Sequence, residues 1–177
     1  MKKRTLLSWS SGKDSAWALY QLQRDSAVEV EGLFSVMNER VNRVSMHATR
    51  AALLERQAKA AGLPFDTIYL PDPCTNEQAD AIMGEYVEAL SGRGIECMAF
   101  GDLFLEDVRQ YREKQLKGTG VEPIFPLWKI PTAELAEEML KGGLRAYISS
   151  VDLKKLAADV VGREWTRELL NELPDEV

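Results

Sequence analysis

Cysteine and histidine are scarce in this chain: Cys74 and Cys97 are its only thiols and His47 its only imidazole among 177 residues. The two cysteines lie 23 positions apart with no CxxC partner. That excludes a disulfide framework and a structural zinc site, and it fits a reducing, cytoplasmic setting. Basic charge is also short, 22 Lys plus Arg against 28 Asp plus Glu, so the formal net charge is -6 and nucleic acid is disfavoured as a partner. The basic start, Met1 to Arg4, is followed by an apolar run too short for a signal peptide. No later run is long enough for a transmembrane helix, so no membrane partner is expected. Internal repeats, low-complexity stretches and composition breaks are absent, and one domain over 1–177 is expected.

What is present is an alternation of strand-like and helix-like segments. Thr5 to Trp9, Val28 to Val36, Phe65 to Leu70, Cys97 to Phe100, Val121 to Phe125 and Arg145 to Val151 read as strands. Helices are expected after Ser15, over Ala48 to Ala61 with a stop at Gly62 and Pro64, after a capping box of Thr75 and Gln78, over Val108 to Lys117, and from a Thr132 cap to Gly142. Ala79, Ile82, Met83, Tyr86, Val87 and Leu90 make the clearest helical stripe. The alternation predicts an α/β fold, a doubly wound, mainly parallel sheet with helices on both faces. Ligands of such sheets gather beyond the carboxyl ends of the strands.

The stretch Ser10-Ser11-Gly12-Lys13-Asp14-Ser15 falls at one such end, between the first strand and its helix. A helix N-terminus offers unpaired N–H groups and a positive dipole end to an anion. Gly12 allows close backbone approach, Ser10, Ser11 and Ser15 add hydroxyls, and Lys13 adds a mobile positive charge. Asp14 is out of place beside phosphates unless a cation lies between, so its simplest role is to hold Mg²⁺. The spacing is neither that of a Walker loop nor G-x-G-x-x-G, and the bland alternative is an ordinary helix cap.

The hexapeptide resembles the S-G-G-x-D-S signature of PP-loop ATP pyrophosphatases, with Ser11 standing where that signature has Gly. Further pieces are similar to the diphthine-ammonia ligase group of the adenine nucleotide alpha hydrolase fold. They are Gly32-Leu33-Phe34, Met46-His47, Ala61-Gly62-Leu63-Pro64, Phe100-Gly101-Asp102-Leu103 with Arg109, Pro126-Leu127-Trp128, and Glu138-Met139-Leu140 with Gly143 and Ala146.

The resemblance implies ATP and Mg²⁺ as cofactors, with Ser10 to Ser15 as the phosphate loop and Asp14 on the metal. It implies adenine received by the backbone of Leu33, Phe34 and Ser35, with Gly101, Asp102 and Arg109 bordering the side where substrate is activated. Lys13, Asp102, Arg109 and His47 are the catalytic candidates. The implied reaction adenylates a carboxylate, releases pyrophosphate and lets free ammonia displace AMP. The acceptor is either a small molecule or a modified elongation-factor side chain. Relatives continue into a Gly-Glu-Asn-Gly-Glu-like segment, so a C-terminal substrate segment is expected to be missing here. An ATP-holding sensor without turnover and a tRNA-modifying PP-loop enzyme are the rival readings, and homo-oligomerisation is left open.

Bland readings compete at several positions. Asp102 can simply end a strand, Arg109 and Arg112 can be solvated helix charges, and Trp128 can be a packing aromatic. Cys74, just ahead of a helix N-terminus, can be incidental or a reactive thiol.

Overall fold

A computed structural model describes residues 1–45 and 49–174. By contacts the chain divides into two compact units, Met1–Lys129 and Ile130–Val177, where the sequence had suggested no internal boundary.

In the first unit, strand β1 (Lys3–Ser8) leads into helix α1 (Lys13–Arg24), and β2 (Val28–Asn38) follows. A two-residue strand β3 (Arg43–Val44) precedes α2 (Ala51–Ala61), then β4 (Phe65–Leu70) and α3 (Asn76–Gly92). Strand β5 (Cys97–Ala99), helix α4 (Glu106–Leu116) and strand β6 (Glu122–Ile124) complete the unit. Parallel pairing joins β1 to β2 and β5, β5 to β6, and β2 to β4, while β3 runs antiparallel to the end of β2. The fold is the expected α/β one, a mostly parallel sheet flanked by helices. The chain builds outward from β1 through β2 to β4 and then returns to the other side of β1 with β5. The switch point therefore lies between the carboxyl ends of β1 and β5.

The expected stripe on α3 faces the core: Met83, Val87 and Leu90 are buried, with Ile82 and Tyr86 packed beside them against Leu6, Phe34 and Met98. The Thr75 hydroxyl accepts from the Gln78 N–H while the Gln78 side chain accepts from the Thr75 N–H, which closes the capping box. Helix α2 ends at Gly62, whose φ of 68° is the left-handed conformation that stops helices. Its expected start at Ala48 lies outside the described residues. Pro123 is accommodated because β6 is an edge strand, where a missing N–H costs no ladder bond.

The second unit holds α5 (Thr132–Lys141), a 3-10 turn at Ala158–Val160, and α6 (Arg167–Glu172). Two expectations fail in it. Thr132 is the first helical residue rather than the cap, a place taken by Pro131. Arg145 to Val151 forms no strand: Tyr147 makes only an isolated bridge to Glu164, and Ile148 exchanges backbone bonds with Gly162 and Arg163. Its β-rich composition has no ladder to join, and strand propensity expresses itself only against a neighbour. Among the described residues no helix is long and apolar enough to cross a membrane.

Candidate active site

The loop from Trp9 to Gly12 is tied down from several sides. Trp9 N–H donates to the Phe34 carbonyl, and the Ser35 hydroxyl donates to the Trp9 carbonyl. The Trp9 indole N–H donates to Gln57 at 3.0 Å, and the Ser11 hydroxyl donates to that of Thr49 at 2.9 Å. Ser11 sits at φ 71°, in the region where a side chain costs about 1–2 kcal/mol. This explains why Gly is the natural occupant and shows that Ser adopts the same turn. Ser11→Gly relieves that strain but loses the Thr49 bond, and it gains about 0.4–1 kcal/mol of unfolded-chain entropy. Urea unfolding of Ser11→Gly is therefore expected to give a stability within about 1 kcal/mol of the parent.

Helix α1 begins at Gly12, which supplies no side-chain cap. The first backbone bond runs from Ala16 N–H to the Gly12 carbonyl at 3.1 Å. Gly12 N–H donates to the Ser10 hydroxyl at 3.3 Å, and the N–H groups of Lys13, Asp14 and Ser15 are left for an anion, as at any helix start. Ser15, almost fully buried, donates to the Gly12 carbonyl at 3.0 Å and lies 3.2 Å from the Ser10 hydroxyl. Lys13 Nζ rests on Asp14 Oδ1 at 2.7 Å, both about one-third exposed, so the ammonium is held at the loop but free to swing.

Two cavities meet here. The larger, about 560 Å³, is walled by Trp9, Ser35, Val36, Val44 and Met83, and by the Val108, Tyr111, Arg112 and Gln115 face of α4. The smaller, about 460 Å³, is lined by Asp14, Ser15, Phe100, Gly101 and Asp102. Ser8, Ser10 and Arg112 belong to both walls. A Cβ on Gly101 would stand 3.2 Å from the Asp14 carbonyl carbon and 3.3 Å from the Ser15 nitrogen, so the chain leaving β5 presses against the first turn of α1. That contact brings Asp102 beside the loop.

Asp102 Oδ2 is buried with no hydrogen-bond partner among the described residues. Burial lifts its carboxyl above the usual carboxylate range, and the nearby Arg112 guanidinium offsets this in part. A raised pKa means that the fold favours the neutral acid, so the stability this group lends is full at low pH and is lost as pH rises through the folded value. Asp102→Asn is therefore expected to melt above the parent near pH 7 and to converge with it near pH 3, measured by thermal denaturation at both.

Of the residues singled out in the sequence, the fold gathers Ser10, Asp14, Ser15, Gly101 and Asp102 on one cavity and Ser35 on the other. Leu33 and Phe34 are fully buried core residues with their backbone in the sheet, and only Ser35 of that trio reaches a cavity wall. Arg109 lies between the rings of Phe125 and Trp128, 4.9 and 4.8 Å from their centroids, and pairs with Glu113 at 2.7 Å; it lines neither cavity. His47 lies outside the described residues. Arg112, which reads equally as a solvated charge, is the cation in the cavity walls. Val108, Tyr111, Arg112 and Gln115 share one face of α4 by their i, i+3, i+4, i+7 spacing.

No cluster of three or more His, Cys, Asp or Glu able to hold a metal ion occurs among the described residues. The Asp14 carboxylate on the cavity wall nevertheless suits magnesium, which typically takes one or two carboxylates and completes its shell with substrate phosphates and water. The model of a family described as the diphthamide synthase N-terminal domain matches residues 1–123, a span that contains the loop, both cavities and all of α4. No curated protein matches the chain. The matched family is of the PP-loop, ATP-utilising kind, which is what a phosphate loop between β1 and α1 would serve. With more than half of its residues inside that match, the chain belongs to the diphthamide synthase N-terminal domain family.

Proposed function

We propose that the protein cleaves ATP between its α and β phosphates to adenylate a carboxylate, which ammonia then converts to an amide with release of AMP. The observation that carries this reading is that Ser10 lines both a large apolar cavity and a smaller acidic one, with Asp14 and Ser15 on the wall of the smaller. The larger cavity has the size and apolar walls that a nucleoside needs. The acceptor would occupy the smaller one, with the triphosphate on the loop at their junction.

In this reading Lys13 leaves Asp14 for the β and γ phosphates. The free N–H groups of α1 stabilise the departing pyrophosphate, where charge develops as the bond breaks. Ser10 and Ser15 orient phosphate oxygens, and Asp14 would hold magnesium. When bound, that ion would supply neutralisation of phosphate charge. No nucleophilic side chain is needed, because the acceptor carboxylate attacks phosphorus itself. A modified histidine of an elongation factor and a small carboxylic acid are the two acceptor classes.

The test supplies ATP, Mg²⁺ and isotopically labelled ammonium with a panel of carboxylate acceptors, and follows label in the product by mass spectrometry. Labelled amide formed in step with pyrophosphate supports the proposal. Tight ATP binding without cleavage across the panel contradicts it and favours a nucleotide-holding sensor.

A further inference from the structure

Arg112, on the wall of both cavities, differs from the arginines of the first unit that are held in ion pairs. Arg109, three residues earlier, is paired with Glu113, and Arg4 and Arg93 are paired with Glu31 and Asp66. The Arg112 guanidinium instead lies 4.8 Å from the Phe100 ring centroid and 6.0 Å from that of Tyr111. It has no ion pair with any described residue, and its Nε is buried without a hydrogen-bond partner. Asp102 is close enough to feel its charge, yet the two form no ion pair. A partly buried cation held only by ring faces recovers part of its lost hydration, and an anion in reach of its fork would recover more.

The place of this unused fork is specific. With Ser8 and Ser10, Arg112 stands in the wall common to both cavities. Resting on the proposed function, that junction is where nucleoside and acceptor must be linked, and the atom that links them is the α-phosphorus. We infer that Arg112 is a catalytic residue of the adenylation, its guanidinium binding the α-phosphoryl oxygens during transfer. In that step an acceptor carboxylate oxygen forms a bond to the α-phosphorus, and the bond from that phosphorus to the oxygen bridging toward the β-phosphate breaks. Its electron pair leaves with pyrophosphate. No proton moves, so the only demand on the protein is to balance charge on the α-phosphoryl oxygens, which a planar fork meets better than a point charge.

The experiment compares full-length parent, Arg112→Ala, Arg112→Met and Arg112→Lys for ATP affinity by calorimetry and for AMP formation, with and without added guanidinium chloride. Arg112→Met keeps an apolar stem over Phe100 and controls for packing. The expected result is AMP formation lowered by about 10²–10³-fold in the Ala and Met variants, the usual effect of losing one transition-state donor. ATP affinity should stay within about threefold of the parent, because the contact matures only during transfer. Lysine should restore little, and free guanidinium should rescue the Ala variant alone. AMP formation within about threefold of the parent in both Ala and Met variants would overturn the inference, as would a loss of ATP affinity equal to the loss of rate, which marks uniform binding. A parent that yields ADP removes the proposed function and this inference together. A parent that yields AMP alongside unimpaired variants removes the inference alone.

Discussion

Lys13→Ala is expected to lower pyrophosphate release by about 10²–10³-fold, measured as acceptor-dependent turnover at saturating ATP. The reason is electrostatic and local. Lys13 is the first residue of α1, and its ammonium pairs with the Asp14 carboxylate next door. Only the arrival of phosphate gives that ammonium a better partner, and the demand for it is greatest as the α–β bond breaks and charge gathers on the leaving group. Because the Lys13 and Asp14 side chains are both about one-third exposed, their mutual pair contributes little to folding. The variant should therefore melt close to the parent while losing turnover, a separation that calorimetry and the kinetic assay report together. A loss of stability on the same scale as the loss of rate would contradict this account.

Gly101→Val is expected to be damaging for a different reason. The site depends on the chain leaving β5 coming close to the first turn of α1, where even a Cβ at position 101 meets Asp14 and Ser15 backbone at 3.2 to 3.3 Å. Backbone at a helix start cannot swing away as a flexible side chain can, so a branched residue must separate β5 from α1. Overpacking of this kind costs about 1–3 kcal/mol, visible in urea unfolding. It should also weaken ATP binding, since it shifts the turn whose N–H groups would receive the phosphates. Gly101→Ala, with a single methyl, is expected to fall between the parent and the valine variant on both measures.

Much of this architecture was legible because its determinants are local. Phe65–Leu70 carries its own boundaries in Pro64 and Pro71, and the Thr75–Gln78 box fixes the start of α3 within one turn. Gly62 stops α2 by its backbone alone. The strand read at 145–151 failed because a strand is defined by its partner, and no local pattern announces that its one bridge among the described residues is to Glu164. The same distinction runs through the site. The Ser10 to Ser15 loop is contiguous in sequence and could be singled out there, and Gly101 and Asp102, at a strand's carboxyl end, line the same cavity as Ser10, Asp14 and Ser15. The pairing of Leu33 and Phe34 with two neighbouring strands removes their side chains to the core and leaves Ser35 alone on a cavity wall. Arg109 and Arg112 differ only in which face of α4 they occupy, and a helix of weak periodicity does not say which face meets the switch point.

The central claim is that the Ser10 to Ser15 loop directs cleavage to the bond between the α and β phosphates. The most direct test incubates the protein with Mg²⁺, ammonium, an acceptor mixture and ATP labelled on the α-phosphate, and separates the labelled products by chromatography. The account predicts label in AMP, with none in ADP and with the signal lost in Lys13→Ala. Label appearing in ADP would contradict it.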